Sequence, residues 1–512
     1  MTSRFKFLYF FYAFWLFFTI KPIFTLNGFA HESLKINLNQ ELKKGNFLIG
    51  LKQYLGANSN NISEKQNITF KTKKNFLELH TSNGIEYKSK KIDIIFKEIP
   101  LKTPLTIERL VFGPFASYES AERQANKLKE KAYEAIVAFP KNWEVWTPVS
   151  ENPPDPRLNY KFFKKSYNSR IIPFLVDQYS KQKLEGPIHI FSSDEIKING
   201  VIFGNNFYLV RDSYGTWTLI QKIKFDDYLK GVLPYEIGPN SPLEALKAQA
   251  VIARTWAIYN SERFNIDHYH LCISTQCQVY RPPEIEYKNV QKAIKDTSNL
   301  IITYKNKPIN SFYHASNGGI SAMASESWNI SDKSYFNAKL DNSKSINNSF
   351  KLPMSNEFKL NQFLSIEKEK FYGSNHSRFR WEKTISSLMV RDYLIKNNFL
   401  KVHENISSLT VLERGPSGRV TKLKISTDSI NKTIILAKDD IRRTLSFLPS
   451  NLFTINKLND NLWLFSGGGF GHGVGLSQSA AIEMAELGFT YEQILDRYYQ
   501  GTSIQKIETL SQ

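Results

Sequence analysis

Residues 241–260, SPLEALKAQAVIARTWAIYN, carry apolar side chains around nearly the whole circumference of a helix. At about 100° per residue, Leu243, Leu246, Ala250, Ala253 and Ala257 fall on one side, and Ala245, Ala248, Ile252, Trp256 and Tyr259 cover much of the other. A helix that is apolar nearly all round is a buried one. Ser241, Pro242 and Glu244 together predict a capping box with proline at the first helical position. Ahead of this helix the chain reads as strands. "KKIDIIFKEI", "IHIF", "IKING", "FYLVRD" and "TWTLIQKI" alternate or cluster β-branched and aromatic residues between Gly, Asn and Asp turns. Residues 107–112 predict a strand turned by Gly113-Pro114. Ser117 then caps a helix with Glu119 in its first turn and Ala121, Ala125, Leu128 and Ala132 at helical spacing, and residues 135–139 predict a second strand. The predicted class is α+β: mainly antiparallel strands around a long buried central helix, with a small upstream β-α-β unit.

At 512 residues the chain predicts more than one unit. The boundaries expected are 1–30 as a signal peptide or N-terminal anchor, 31–103 as strand pieces or linker, 104–146 as the β-α-β unit, 147–185 as a linker opening on the proline-rich "TPVSENPPDPRLN", and 186–505 as the main domain. The polar stretch 332–350 predicts a loop or insertion. The signal expectation rests on the basic start "MTSRFKF" followed by "LYFFYAFWLFFTI", an apolar run shorter than the roughly 20 residues of a membrane-spanning helix. Export to the cell envelope changes the meaning of the net charge of +19. A basic exported surface suits an acidic wall polymer rather than nucleic acid, and membrane contact is expected only through the N-terminal segment.

Glu236 is the candidate acid. It stands among Leu233, Pro234, Tyr235 and Ile237, where apolar neighbours disfavour the ionised carboxylate and raise its pKa, as a general acid near neutral pH requires. Gln249 and Arg254 lie on the apolar helix and need partners; Arg254 either pairs with a carboxylate inside the fold or orders the acid or its substrate. Trp143 and Trp146 either pack or stack on sugar rings. In "FYHASNGG" a strand ends in Ser316, Asn317, Gly318 and Gly319, a backbone open to close approach by a sugar. In "GGGFGHGVGLSQS" His472 sits among glycines, reachable by a glycan or fixing the loop, and Ser477 and Gln478 open a helix that Gly488 ends. The two cysteines, Cys272 and Cys277, follow His268 and His270. Their spacing matches no standard finger, so a structural zinc on these four residues, a local disulfide and free thiols all stay open.

Four of these stretches, taken in order, carry a resemblance. "YLKGVLPYEI…SPLEALKAQAVIARTWA", then "CQVYR" with Gln278 and Tyr280, then "FYHASNGG", then "GGGFGHGVGLSQSAAIEMAELGFTYEQILDRYYQGTSI" resemble the stage II sporulation protein D (SpoIID/LytB) family over residues 186–504. The resemblance implies a lytic transglycosylase acting on peptidoglycan glycan strands, with Glu236 as catalytic acid and no cofactor required for catalysis. It makes Gln249, Arg254, Gln278, Tyr280, Ser316, Asn317, Gly318, Gly319, His472, Ser477 and Gln478 substrate-binding or site-shaping residues. Denuded strands are the implied substrate and a cell-wall amidase an implied partner. The LytB branch implies the alternative of a non-catalytic amidase enhancer. Upstream, "FGPF…SAERQANKLK" loosely resembles a SPOR repeat, a small peptidoglycan-binding module.

Overall fold

The computed structural model describes residues 36–507 except 58–66, 151, 178–179, 284, 344–350 and 429–431. The signal or anchor expected at 1–30 lies outside the described residues. Among them, no helix is long and apolar enough to cross a membrane.

Asn46–Leu55 begins with five consecutive buried residues, the mark of a strand covered on both faces. It sits near one end of a seven-stranded sheet in the order Leu271–Cys272, Asn46–Leu55, Trp217–Lys224, Asn206–Arg211, Ile188–Phe191, Leu77–Thr81, Glu86–Ser89. All neighbours are antiparallel except the first pair. Of the two readings of 31–103, strand pieces is the one that the described residues 36–57 and 67–103 take. They supply strands to the same sheet as residues 186–224, because the apolar faces of both segments close one core around Leu79, Ile190, Phe207 and Leu219. The expected linker at 147–185 is corrected. It contains the 17-residue strand Tyr160–Val176, which pairs along the 25-residue strand Lys91–Phe115.

The upstream unit forms within this second sheet. Ser117 accepts from the Ser120 N–H at 3.3 Å and caps helix Tyr118–Glu130, whose Ala121, Ala125 and Leu128 pack on Trp143 and Val145. Gly113-Pro114 does not end the preceding strand; the strand runs on to Phe115, and its pairing with Trp143–Thr147 slips register between Phe112 and Phe115. Trp143 and Trp146 are 1% and 0% exposed, so they pack and do not meet a sugar.

The central helix, Leu243–Tyr259, is buried on both sides as its sequence demands. Leu246, Ala250 and Ala253 enter one core, and Ala248, Val251 and Ile252 another. Its start departs from the capping-box expectation. Pro242 takes the N-cap place without a side-chain bond, and Ser241 Oγ donates to the Ile237 carbonyl at 2.7 Å. Glu244 turns instead to Lys247 and to the Tyr491 N–H at 2.9 Å, the first residue of helix Tyr491–Tyr498.

The main domain is not continuous. After Ile320–Ser321 the chain builds a further body. Its antiparallel triplets Arg380–Ser386, Phe453–Asn459, Leu462–Gly468 and Ile406–Arg414, Val420–Thr427, Thr433–Ala437 close their own core around Val390, Leu423, Leu436 and Phe465. The expected short insertion is part of this larger one. The chain then returns through the glycine-rich stretch to helices Gln478–Glu486 and Tyr491–Tyr498, and Ser503–Lys506 pairs with Leu300–Tyr304.

Candidate active site

Glu236 ends the short helix Leu233–Glu236. Leu233 and Pro234 are buried beneath it, Pro234 sits in its first turn, and Tyr235 points outward. The carboxylate is half-buried in the wall of a cavity of about 260 Å³. Its Oε1 accepts from the Val279 N–H at 2.7 Å, and the Tyr313 hydroxyl also hydrogen-bonds to it. Tyr313 in turn accepts from Gln278 Nε2 at 3.1 Å, and Gln278 Oε1 accepts from Tyr228 at 3.2 Å. Burial raises the Glu236 pKa above its ordinary value and outweighs the two hydrogen bonds, which lower it. A protonatable carboxyl held by two donors at a cavity wall is the geometry of a general acid.

Gln478 Nε2 ties this turn down. It donates to the Glu236 carbonyl at 2.9 Å and lies 3.3 Å from Gln249 Oε1. Gln249 and Gln478 thus position the backbone of the acid, not its carboxyl. Arg254 does neither. Its guanidinium bonds to Asp226 at 2.9 Å and to the carbonyls of Thr297 and Leu300, which leaves it a buried tether between elements. Tyr280 also stands back from the cavity, stacked on Tyr228 with its hydroxyl donating to Gln221.

Tyr313–His314 lies parallel to Leu476–Ser477, which brings "FYHASNGG" and "GHGVGLSQ" side by side. The tight fit explains a glycine: Gly475 has φ +72°, and a Cβ there would stand 1.9 Å from the Phe312 carbonyl oxygen. Ser316 and Asn317 are buried; Asn317 Nδ2 donates to Asp341 at 2.7 Å and its N–H approaches Ser477 Oγ at 3.4 Å. Gly318 and Gly319 press against the Gly468–Gly469 backbone and the Phe371 ring. Ser316, Asn317, Gly318 and Gly319 are buried against protein, which corrects the expectation that their backbone is open to a sugar, and Ser477 joins them through its Oγ. His472 does line the cavity. Its Nδ1 accepts from the Val474 N–H at 3.1 Å and its ring packs on Trp328, with centroids 4.7 Å apart. Burial holds its pKa well below the usual histidine range, so it is a neutral wall rather than an acid. Tyr313 escaped the sequence reading although it stands inside a motif, because an aromatic residue next to Phe312 in a strand reads as core.

Cys272 and Cys277 are joined as a disulfide, with Cα atoms 5.7 Å apart. Both ring nitrogens of His270 are engaged by backbone, Nδ1 by the Leu48 N–H and Nε2 by the Leu38 carbonyl. Among the described residues no group of three or more His, Cys, Asp or Glu could hold a metal. The residues present therefore do not fit a zinc on His268, His270, Cys272 and Cys277. The disulfide closes the loop that carries Gln276, which accepts from Trp143 Nε1 at 2.8 Å, and leads into Val279, the donor to Glu236. Replacing both cysteines with serine is expected to cost about 2 kcal/mol for so short a loop. Thermal unfolding with reductant should show this loss, and chelator alone should leave the transition unmoved.

Residues 213–304 match the family model described as "Stage II sporulation protein". Residues 322–475 match one described as "Domain of unknown function (DUF8618)", and these coincide with the inserted body. An uncharacterised protein of Brachyspira hyodysenteriae is 30% identical over 329 residues, 61% of this chain and 75% of that protein. An amidase enhancer of Bacillus subtilis is 30% identical over 296 residues, 54% of this chain and 40% of the relative's length. The stage II sporulation protein D of Bacillus subtilis is 26% identical over 306 residues, 56% of this chain and 76% of that protein.

Proposed function

From a chain that belongs to the stage II sporulation protein D family, we infer an exported cell-envelope protein that acts as a lytic transglycosylase on peptidoglycan glycan strands. The observation that carries this reading is Glu236 at the cavity wall, its pKa raised by burial and its Oε1 fixed by the Val279 N–H. In the reaction the protonated Glu236 gives its proton to the glycosidic oxygen between N-acetylmuramic acid and N-acetylglucosamine as the C1–O bond breaks. The 6-hydroxyl oxygen of the same muramoyl residue bonds to C1, and its proton passes to the Glu236 carboxylate, which restores the acid. The nucleophile is intramolecular, so no second carboxylate is needed to hold a water. The Tyr313 hydroxyl steadies the carboxylate between the two proton transfers.

Two other carboxyl groups line the cavity, and they define the competing chemistry. Glu119 is ion-paired with Arg263, whereas Asp439 is raised in pKa by burial and lies 3.5 Å from Ser120 Oγ. If Asp439 activated a water, the product would be a reducing sugar end. Analysing the ends released from purified denuded strands tests the reading: 1,6-anhydro ends support it and reducing ends oppose it. The similarity to an amidase enhancer favours a second reading, a protein that holds glycan and stimulates a separate cell-wall amidase. In that case Glu236→Gln leaves the stimulation intact.

A further inference from the structure

Within that transglycosylase reading, we propose that the inserted body forms an anion subsite, built by Arg442 and Arg443 with Arg378 and Lys383, that binds a carboxylate carried by the glycan strand. Helix Asp439–Thr444 brings Arg442 and Arg443 to the cavity that holds Glu236. The same two arginines also line an adjoining cavity of about 410 Å³. Thr275, beside the disulfide, lines both, so the second space continues the first. Four cationic side chains and no carboxylate line the second cavity.

Arg263, the other arginine that lines the first cavity, has its charge answered inside the fold by Glu119 and Asn260. Among the described residues the Arg442 and Arg443 side chains make no ion pair within 4 Å and no hydrogen bond, while Arg378 rests its guanidinium on the Phe470 ring at 4.1 Å. The facing acids are Glu119, taken by Arg263, and Asp439 and Asp440 on the arginines' own helix, whose pKa values burial raises while Arg443 draws both back down. Burial and Arg443 lower the Arg442 pKa to about 10, against Asp439, which raises it. Arg442 is half-buried and is answered inside the fold only by the pull of Asp439, while Arg443 and Arg378 are exposed; a half-buried guanidinium gains most from a planar carboxylate that it can clamp by two hydrogen bonds.

A strand of alternating sugars carries carboxylates at two places: the lactyl ether of each muramoyl unit once the peptide is gone, or the stem peptide while it remains. Either presents the charge that the four cations of the second cavity would bind. The sugar-borne carboxylate is the shared chemistry, and an experiment separates the sources.

Binding is measured by calorimetry in the Glu236→Gln background, so that it is independent of turnover. The probes are denuded glycan oligomers, the same oligomers with lactyl carboxylates converted to amides, and peptide-bearing oligomers. Arg442→Gln with Arg443→Gln is expected to weaken binding of the carboxylate-bearing probe about tenfold or more, and Lys383→Gln by less. Amidation should weaken binding to the parent protein similarly and remove the difference between parent and variant. A lactyl source is identified by an effect confined to denuded probes, and a peptide source by one confined to peptide-bearing probes. Equal affinity of parent and a folded double variant for every probe overturns the proposal. If that variant unfolds, Lys383→Gln and a falling affinity with rising salt decide in its place, and affinity indifferent to both overturns it. Anhydro ends made at unchanged KM by the arginine variant would sink the subsite and spare the transglycosylase. Arginine-dependent binding without any cleavage would do the reverse.

Discussion

On the transglycosylase proposal, Glu236→Gln is expected to lower the rate of strand cleavage by about three orders of magnitude, within the range that positioned acid–base groups contribute. Glutamine keeps the shape of the side chain and an oxygen for the Val279 N–H, so the fold and the glycan affinity should survive while the proton donor is lost. The pH dependence carries the same signature. If the protonated form of Glu236 is the donor, as proposed, activity is expected below its pKa, which burial raises above the ordinary carboxylate value, and falls as pH climbs through it. The Tyr313 hydrogen bond lowers the Glu236 pKa, so Tyr313→Phe moves the falling limb to higher pH. Initial rates across a pH series, for the parent and both variants, check all three statements. A limb that stays in place in Tyr313→Phe, or a variant of Glu236 with near-parental rates, contradicts them.

Arg419→Met destabilises the protein by about 3–5 kcal/mol, the usual cost of stripping one partner from a buried charge network. The Arg419 side chain is 1% exposed and belongs to the inserted body, yet it donates to the carbonyls of Asn317 and Ile320 at 3.0 and 3.1 Å. Through Ser417 it also reaches Glu326: Ser417 Oγ accepts from Arg419 Nη1 at 3.0 Å and donates to Glu326 Oε1 at 2.7 Å. Gly473 lies flat on the guanidinium, where a Cβ would come within 2.2 Å of Nη2. Methionine fills the volume but leaves two carbonyls unpaired and the buried Glu326 without its cation. Urea unfolding monitored by tryptophan fluorescence measures the loss; a change below about 1 kcal/mol contradicts this role. The same contact explains how a foreign body can shape the site, since His472 is the residue before Gly473.

What could be read from the chain was local. The buried central helix follows from its period alone, and the strands at 188–191, 206–211 and 217–224 follow from alternation between turn residues. Glu236 could be singled out because an acid among apolar neighbours is costly unless it is used. The rest depended on partners far along the chain. Glu244 satisfies an N–H at Tyr491, 247 positions away, so its capping box is not made. Arg254 finds Asp226, and Lys91–Phe115 finds Tyr160–Val176, through contacts that no short window contains. The inserted body has strands of the same period as its host, so nothing in their pattern marked where one core stops and another starts. The glycines at 318 and 319 looked open to a ligand because small residues signal close approach without naming what approaches.

On the transglycosylase proposal, one carboxyl, at position 236, breaks a glycosidic bond without water. Purified, peptide-free glycan strands incubated with the parent protein and resolved by mass spectrometry test it most directly. Muramoyl ends lighter by one water than reducing ends are expected with the parent protein and not with Glu236→Gln. Ends that take up the oxygen of labelled water, or anhydro ends that persist without Glu236, would contradict it.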